Sequence, residues 1–431
     1  MSGPALVRRS RWLTPVVPGT RVTRLELFFD LIFVFAFLNV TGLISTHPTP
    51  RSLVSGLLVL TLLWWCWTVL AALGNLVRID KGILPVFGLG IAVATFVLAI
   101  TIPQAFQNQL NDLAGPVVFA LAYLALRGLT LGAFLFVLTG TGRDRRQLAL
   151  VSAPPLVAGV LVILAGTAAW WAPPDVRVDV RLGLWAAALL TEYSVGLILP
   201  YSKWAVASAG HWAERHSLIV LIALGEAVIS LGLGPGRFER LALSGPVITG
   251  SALGILLLAA LWWLHFDTLA PSVEQAMHGT RDIKRVSLAR DVFTYLHLLM
   301  ITSVIAVALG LKVVLQAAAE ISVEPLSWSG VAALYGGVAL YLLTEVAVVA
   351  RTFRRVRPTR LATAAVVALL SWPATLVTPL AALGGLIVVL IALIVVDRFT
   401  GTAARSRIKA FLREEEEVSE RAVSQWRQQH L

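Results

Sequence analysis

Long apolar stretches alternate with short charged or proline-bearing breaks along almost the whole chain. A hydrocarbon core of roughly 30 Å takes about 20 helical residues to cross. Stretches close to that length occur at 25–44, 53–73, 83–102, 115–139, 148–171, 182–199, 217–234, 246–266, 291–314, 329–350, 361–378 and 380–397. The pattern predicts an all-α fold, a polytopic transmembrane helix bundle of about twelve spans. Trp372-Pro373 and Pro379 interrupt the final apolar run, so its last two stretches read either as two spans or as one long broken helix. The expected organisation is a basic segment over 1–24, six-helix halves over 25–199 and 200–397, and a charged tail over 398–431.

Composition agrees with the membrane reading. Hydrophobic residues make up 58% of the 431 positions and charged residues only 14%, with fourteen Trp and a mean hydropathy of +0.82, whereas soluble proteins carry about 25% charged residues. A single cysteine, Cys66, has no partner for an internal disulfide or a thiolate metal site. Residues 1–24 are Arg-rich and polar, and the apolar run after them contains acids and no small-residue cleavage site, unlike a cleaved signal peptide. No cofactor is expected.

Charge distribution sets the expected topology. With the N-terminus cytoplasmic, 28 of the 35 Lys and Arg fall in inner segments and five in outer loops, a strong positive-inside bias. Both termini are then cytoplasmic in a multi-pass protein, and the net charge of +11 reads as topology and attraction to anionic lipid, with no nucleic-acid role. A homo-oligomer is compatible with the sequence. The tail IKAFLREEEEVSERAVSQW has Glu and Arg spacing suited to a solvated or interfacial helix.

An internal echo suggests architecture. ELFFDLIFVFAF and LLWWCW in the first two spans have counterparts in ERHSLIVLIALGEAV and LWWLHFD in the seventh and eighth. Both copies start on the same side of the membrane, so the expectation is a parallel six-plus-six duplication; chance similarity of Trp-bearing apolar spans is the other reading.

Ionisable residues inside the spans carry the chemistry. Glu26 and Asp30 stand four apart, on one helical face. Glu192 and Glu226 lie near mid-membrane on a rise of about 1.5 Å per residue, and Glu345 is the fifth acid, against only Arg127 and Lys312. A charge at the bilayer centre costs on the order of 3 kcal/mol on insertion scales, so such groups are candidates for an ion or proton path. The expected pathway residues are Glu26, Asp30, Glu192 and Glu226, with Arg24, Arg127 and Arg215 compensating charge. His216, His265, Asp267 and His297 cluster toward the inner half and are expected to shape an inner vestibule. Structural alternatives stand beside each of these: Glu26 and Asp30 pinning the helix end against Arg21, Arg24 or a neighbouring base, Glu192 and Arg127 forming a buried pair, and a histidine satisfying a loop carbonyl. The glycines of LGEAVISLGLGPG fit either close helix packing or a cavity wall beside Glu226.

The blocks ELFFDLIFVFAF, AGHWAERHSLIVLIALGEAVISLG and LWWLHFD, in that order on an all-helical layout, resemble the bacterial low temperature requirement A family. The resemblance implies a bacterial inner-membrane protein connected with growth in the cold and brings no molecular activity with it. Arg24-x-x-x-Phe28-x-Asp30 is also similar to the Phe-Ser-Asp motif of potassium channels built from six-helix repeats, although Phe29 replaces the serine and the second half has no such motif.

No HExxH, GxSxG or P-loop pattern is present, which argues against zinc hydrolysis, a serine elbow and an ATP-driven pump. The leading expectation is a secondary transporter or channel-like protein for a cation, a proton or a small cationic solute. A non-transporting scaffold or cold sensor and a lipid-active membrane enzyme are the alternatives.

Overall fold

A computed structural model describes residues 13–46, 48–106, 114–139, 145–198, 206–232 and 244–400, with scattered positions of the tail. Lys203, Arg237, Arg240, residues 1–12, the start of the GRDRRQ loop and most of the tail lie outside the described residues.

Among the described residues twelve long helices follow one another: α1 (Arg24–Thr46), α2 (Pro50–Leu76), α3 (Leu84–Thr101), α4 (Gly115–Thr139), α5 (Arg145–Gly166), α6 (Arg177–Ile198), α7 (Ala209–Gly232), α8 (Gly245–Gly279), α9 (Ile283–Ala319), α10 (Trp328–Phe353), α11 (Pro358–Ala374) and α12 (Pro379–Thr400). Ten of these are long and apolar enough to span a membrane. The other two are α6, which carries Arg177, Asp179, Arg181 and Glu192, and α11, which is 17 residues long. The final apolar run is two helices, broken between Ala374 and Pro379, where Pro379 opens the second.

Periodicity explains how each helix sits. On α1, Glu26, Phe29, Asp30, Phe33, Phe37 and Val40 recur at three- and four-residue steps and are buried, while Leu27, Phe28 and Leu31 on the opposite face are exposed. A membrane helix inverts the soluble rule here: its polar groups point into the bundle and its apolar ones toward lipid. Helices α7 and α9 lie centrally, and α9 packs against α7, α8 and α10. Close approach of α9 to α10 depends on Gly310, where a Cβ would stand 2.6 Å from the Leu334 backbone, and on Gly337, where it would stand 2.9 Å from the Val307 nitrogen.

Among the described residues three helices contain π turns. In α8 the turn spans His265–Leu269 and ends at Ala270, whose N–H reaches back five residues to the His265 carbonyl. Pro271 follows immediately and has no N–H to give, so the helix widens by one residue before it. Nearby carbonyls gain side-chain donors: Tyr341 donates to Leu261 O at 2.9 Å and an Arg360 NH2 group to Leu264 O at 3.0 Å. The other π turns cover Ala289–Leu296 in α9 and Ala332–Gly336 in α10. Trp64 donates to the Thr294 carbonyl in the first of these at 2.7 Å.

Segments expected on one side of the membrane meet at one end of the bundle. Pro15 bridges Val77, Arg78 N donates to Thr14 O at 2.8 Å, and Asn75 Nδ2 donates to Ser208 O at 2.7 Å. The Arg78 guanidinium in this loop donates twice to Asp80 and holds its carboxyl below the ordinary carboxylate value. At the other end, Arg51 in the first turn of α2 pairs with Asp179 of α6 at 2.8 Å. There too lies a cavity of about 1030 Å³, bordered by Ser45, Lys312, Gln316 and Pro379.

Candidate functional site

The site is built on two neighbouring helices in register. Glu26 and Asp30 face His211 and Arg215 of α7, and each contact joins residues 185 apart. Because both pairs ascend together, α1 and α7 run in the same direction, and the two four-residue spacings form a two-rung ladder.

Glu26 is held by its own chain first. Thr23 donates its N–H and its hydroxyl to Glu26 Oε2 at 2.8 and 2.9 Å, and Thr23 Oγ1 accepts from Glu26 N at 3.3 Å, a reciprocal capping box at the start of α1. His211 Nε2 lies 3.1 Å from Glu26 Oε1, and the amide nitrogen of Asn75 lies 3.3 Å from His211 Nδ1. An amide N–H donates to Nδ1, so the neutral ring carries its hydrogen on Nε2 and directs it to Glu26. Gly74 makes room: a Cβ there would collide with Glu26 Oε1.

One turn deeper, Asp30 is 1% exposed. Its Oδ2 accepts from Arg215 at 2.7 Å and its Oδ1 from Trp67 Nε1 at 2.9 Å. The Arg215 guanidinium stacks 5.3 Å from the Trp67 ring centre. Two of its nitrogens, Nε and one NH2, are buried without a protein partner. Arg24 is exposed at the helix start.

Glu192 sits in a closed cage. Arg127 donates to both its oxygens, at 2.9 and 2.7 Å, Tyr123 OH donates at 3.1 Å and Trp65 Nε1 at 2.8 Å. Arg127 and Tyr123 are four apart on α4, so one helical face supplies three of the four bonds. Arg127 is therefore spent on Glu192, in a cage formed by α2, α4 and α6.

Glu226 differs. It is 0% exposed on α7, its Oε1 accepts from Ser230 at 2.7 Å, and its Oε2 makes no well-formed hydrogen bond. The Thr41 hydroxyl of α1 is buried beside this carboxyl and close enough to act on it, short of a well-formed hydrogen bond. Lys312, which donates to Ser45 at 3.1 Å and borders the large cavity, is near enough for its charge to be felt at Glu226. Gly225 and Gly232 beside Glu226 are not packing contacts, since a Cβ at either would meet nothing within 4 Å; Gly234 lies outside the described residues.

The histidines form a second, closed cluster. His216 is fully buried among Trp64, Trp67, Trp212, Phe293 and His297, with His297 5.5 Å away between ring centres. His265 lies 6.2 Å beyond His297, and Asp267 is half-buried on the same π turn. Glu345 pairs with Arg360, which Asp397 also approaches at 3.4 Å. No group of three or more His, Cys, Asp or Glu among the described residues is arranged to hold a metal ion.

Sequence reasoning named Glu26, Asp30 and Arg215 but passed over His211, Asn75, Gly74, Trp67, Arg360 and Asp397. His211 carried a readable signal, because its four-residue spacing to Arg215 mirrors Glu26 to Asp30. Asn75 and Gly74 offered none.

A polytopic helical membrane protein with charged pairs buried between its central helices is the class these features define. A family model described as bacterial low temperature requirement A protein matches residues 21–395, and the chain belongs to that family. It is also similar to the uncharacterized protein RA0937 of Rhizobium meliloti (strain 1021), at 29% identity over 304 residues, covering 68% of this chain and 69% of the relative.

Proposed function

We propose that the protein is a secondary transporter or channel-like protein of the bacterial inner membrane that passes a proton, a cation or a small cationic solute between α1 and α7. The observation that carries this reading is Glu226, a fully buried carboxyl in a central helix with no basic residue in ion-pair contact and only the Ser230 and Thr41 hydroxyls beside it. A group placed so exchanges a proton or cation without first breaking an ion pair. Thr41 and Ser45, one helical turn apart on α1, lead from it to the cavity bordered by Lys312. The Asp30–Arg215 and Glu26–His211 rungs occupy the other end of the same interface and serve as the gate, since opening that end requires both rungs to separate together. The basic loops favour an orientation with this gate and both termini cytoplasmic, facing anionic lipid.

A scaffold or sensor reading draws on Glu26, Asp30, Glu192 and Glu345, each of which has a basic partner. Flux in proteoliposomes separates the two. Wild type is expected to move protons or K⁺/Na⁺ down an imposed gradient, and Glu226→Gln to abolish the flux with an unchanged detergent size-exclusion profile. Asp30→Asn should alter gating while leaving a conducting Glu226. Wild-type protein that is silent under every gradient would transfer the weight to the scaffold.

A further inference from the structure

His265 stands apart from the other buried histidines. His216 is anchored through Nδ1 to the Trp212 carbonyl at 2.8 Å, and His297 through Nδ1 to the Val292 carbonyl at 2.9 Å. Each anchor fixes the hydrogen on Nδ1 and turns Nε2 into the acceptor. His265 is 3% exposed, yet both of its ring nitrogens are without a partner. Its Nδ1 is 4.0 Å from Glu345 Oε1, the oxygen of that carboxylate which is also unpartnered. On the other side its ring centre is 6.2 Å from that of His297. The residue opens the π turn that Pro271 imposes on α8, and π turns recur at functional positions because they re-aim one side chain.

We propose that His265 is a swinging proton shuttle between the Glu345 carboxyl and the His297 imidazole. The inference rests on the proton-path reading above and extends that path in series through α8, α9 and α10. In one direction the Glu345 Oε1–H bond breaks as His265 Nδ1 takes the proton. The Nε2–H bond of the resulting imidazolium then breaks as His297 Nε2 takes it, directly or through a bridging water, and a ring flip resets the shuttle. No electron changes hands. Charged groups around the ring fit this role. From the packed elements His265 faces Glu345 of α10, Arg360 of α11 and His297 of α9; Asp267 shares its π turn, and Asp397 of α12 sits behind Arg360. Because Asp397 shares the Arg360 guanidinium, Glu345 can accept a proton while Arg360 keeps a counter-ion. His216, 5.5 Å past His297, continues the line toward Arg215 and Asp30.

Two measurements on the full-length protein test this. In proteoliposomes, His265→Phe keeps an aromatic ring of similar size, and proton flux is expected to fall by roughly a hundredfold. His265→Ala should be similarly slow and regain flux with added imidazole. Unchanged proton flux in His265→Phe, with Glu226→Gln inactive, would overturn the shuttle and leave the Glu226 path standing. Absence of wild-type flux would overturn both. In ¹⁵N-histidine-labelled protein, with His265 assigned by its loss in His265→Phe, the ring should exchange between both tautomers while His216 and His297 stay protonated at Nδ1. A single fixed tautomer at His265 overturns the shuttle whatever the flux.

Discussion

Glu192 and Glu226 both sit well inside a long helix, and the bundle surrounds them in opposite ways. Glu192 accepts four hydrogen bonds, two of them from one guanidinium. Glu226 accepts one, from a serine on its own helix, and its other oxygen makes no well-formed bond, with the Thr41 hydroxyl beside the carboxyl. A carboxylate with every lone-pair direction occupied and a fixed counter-charge gains nothing by exchanging its proton, so it holds helices α2, α4 and α6 together. A carboxylate with a spare oxygen in the same low-dielectric interior is free to trade a proton or a cation. The sequence presents the two as equals; the difference lies wholly in their neighbours.

Substitutions sharpen that contrast, and their effects on stability and on flux are expected to run in opposite orders. Arg127→Met should be the most damaging to the fold. Removing one partner strands the other charge in the interior, a loss of about 3–5 kcal/mol, read as a fall in thermal midpoint in detergent. The paired replacement Arg127→Met with Glu192→Leu should recover most of it, because an apolar pair of similar volume has no charge to bury.

Next comes Gly74→Ala. The added methyl meets Glu26 Oε1, and displacing the capping box should cost about 1–3 kcal/mol as overpacking. Gly225→Ala is the control: its Cβ meets nothing, and the helix gains up to about 1 kcal/mol from the lost glycine. Finding the two alanines equally destabilising would contradict the placement of Glu26 against α2.

Thr23→Ala removes the N-cap of α1 and should cost about 1 kcal/mol. It should also loosen the outer rung of the ladder, seen as faster hydrogen exchange at the first turn of α1. Glu226→Gln should be the mildest for stability, within about 0.5 kcal/mol, since the amide keeps the acceptor for Ser230. It is also the variant expected to lose all flux.

Much of the architecture was legible before any coordinates. The helix stretches and the placing of Glu26 and Asp30 on one face follow from periodicity, which reports the face a residue occupies, while the family shows through the resemblance of three sequence blocks. The alternative that Glu192 and Arg127 form a buried pair was visible too, because they are the mid-membrane acid and base of the first half. The break between α11 and α12 was marked by Pro379, but the same residues also suited one kinked helix, and only the backbone decides between them. The π turn at His265 could have been suspected from Pro271, since a proline inside a helix must be accommodated somewhere.

The sequence by itself determined that this chain is a helical membrane protein of the low temperature requirement A family, and which of its spans carry charge. Tertiary structure alone decided that Glu26 meets His211, that Asp30 meets Arg215 and that Glu345 meets Arg360, while Glu226 keeps an open oxygen. The physical reason is range. Helix formation and membrane partition are local sums over neighbouring residues, whereas the fate of a buried charge depends on which side chain arrives from another helix, as Arg215 reaches Asp30 from 185 positions along the chain.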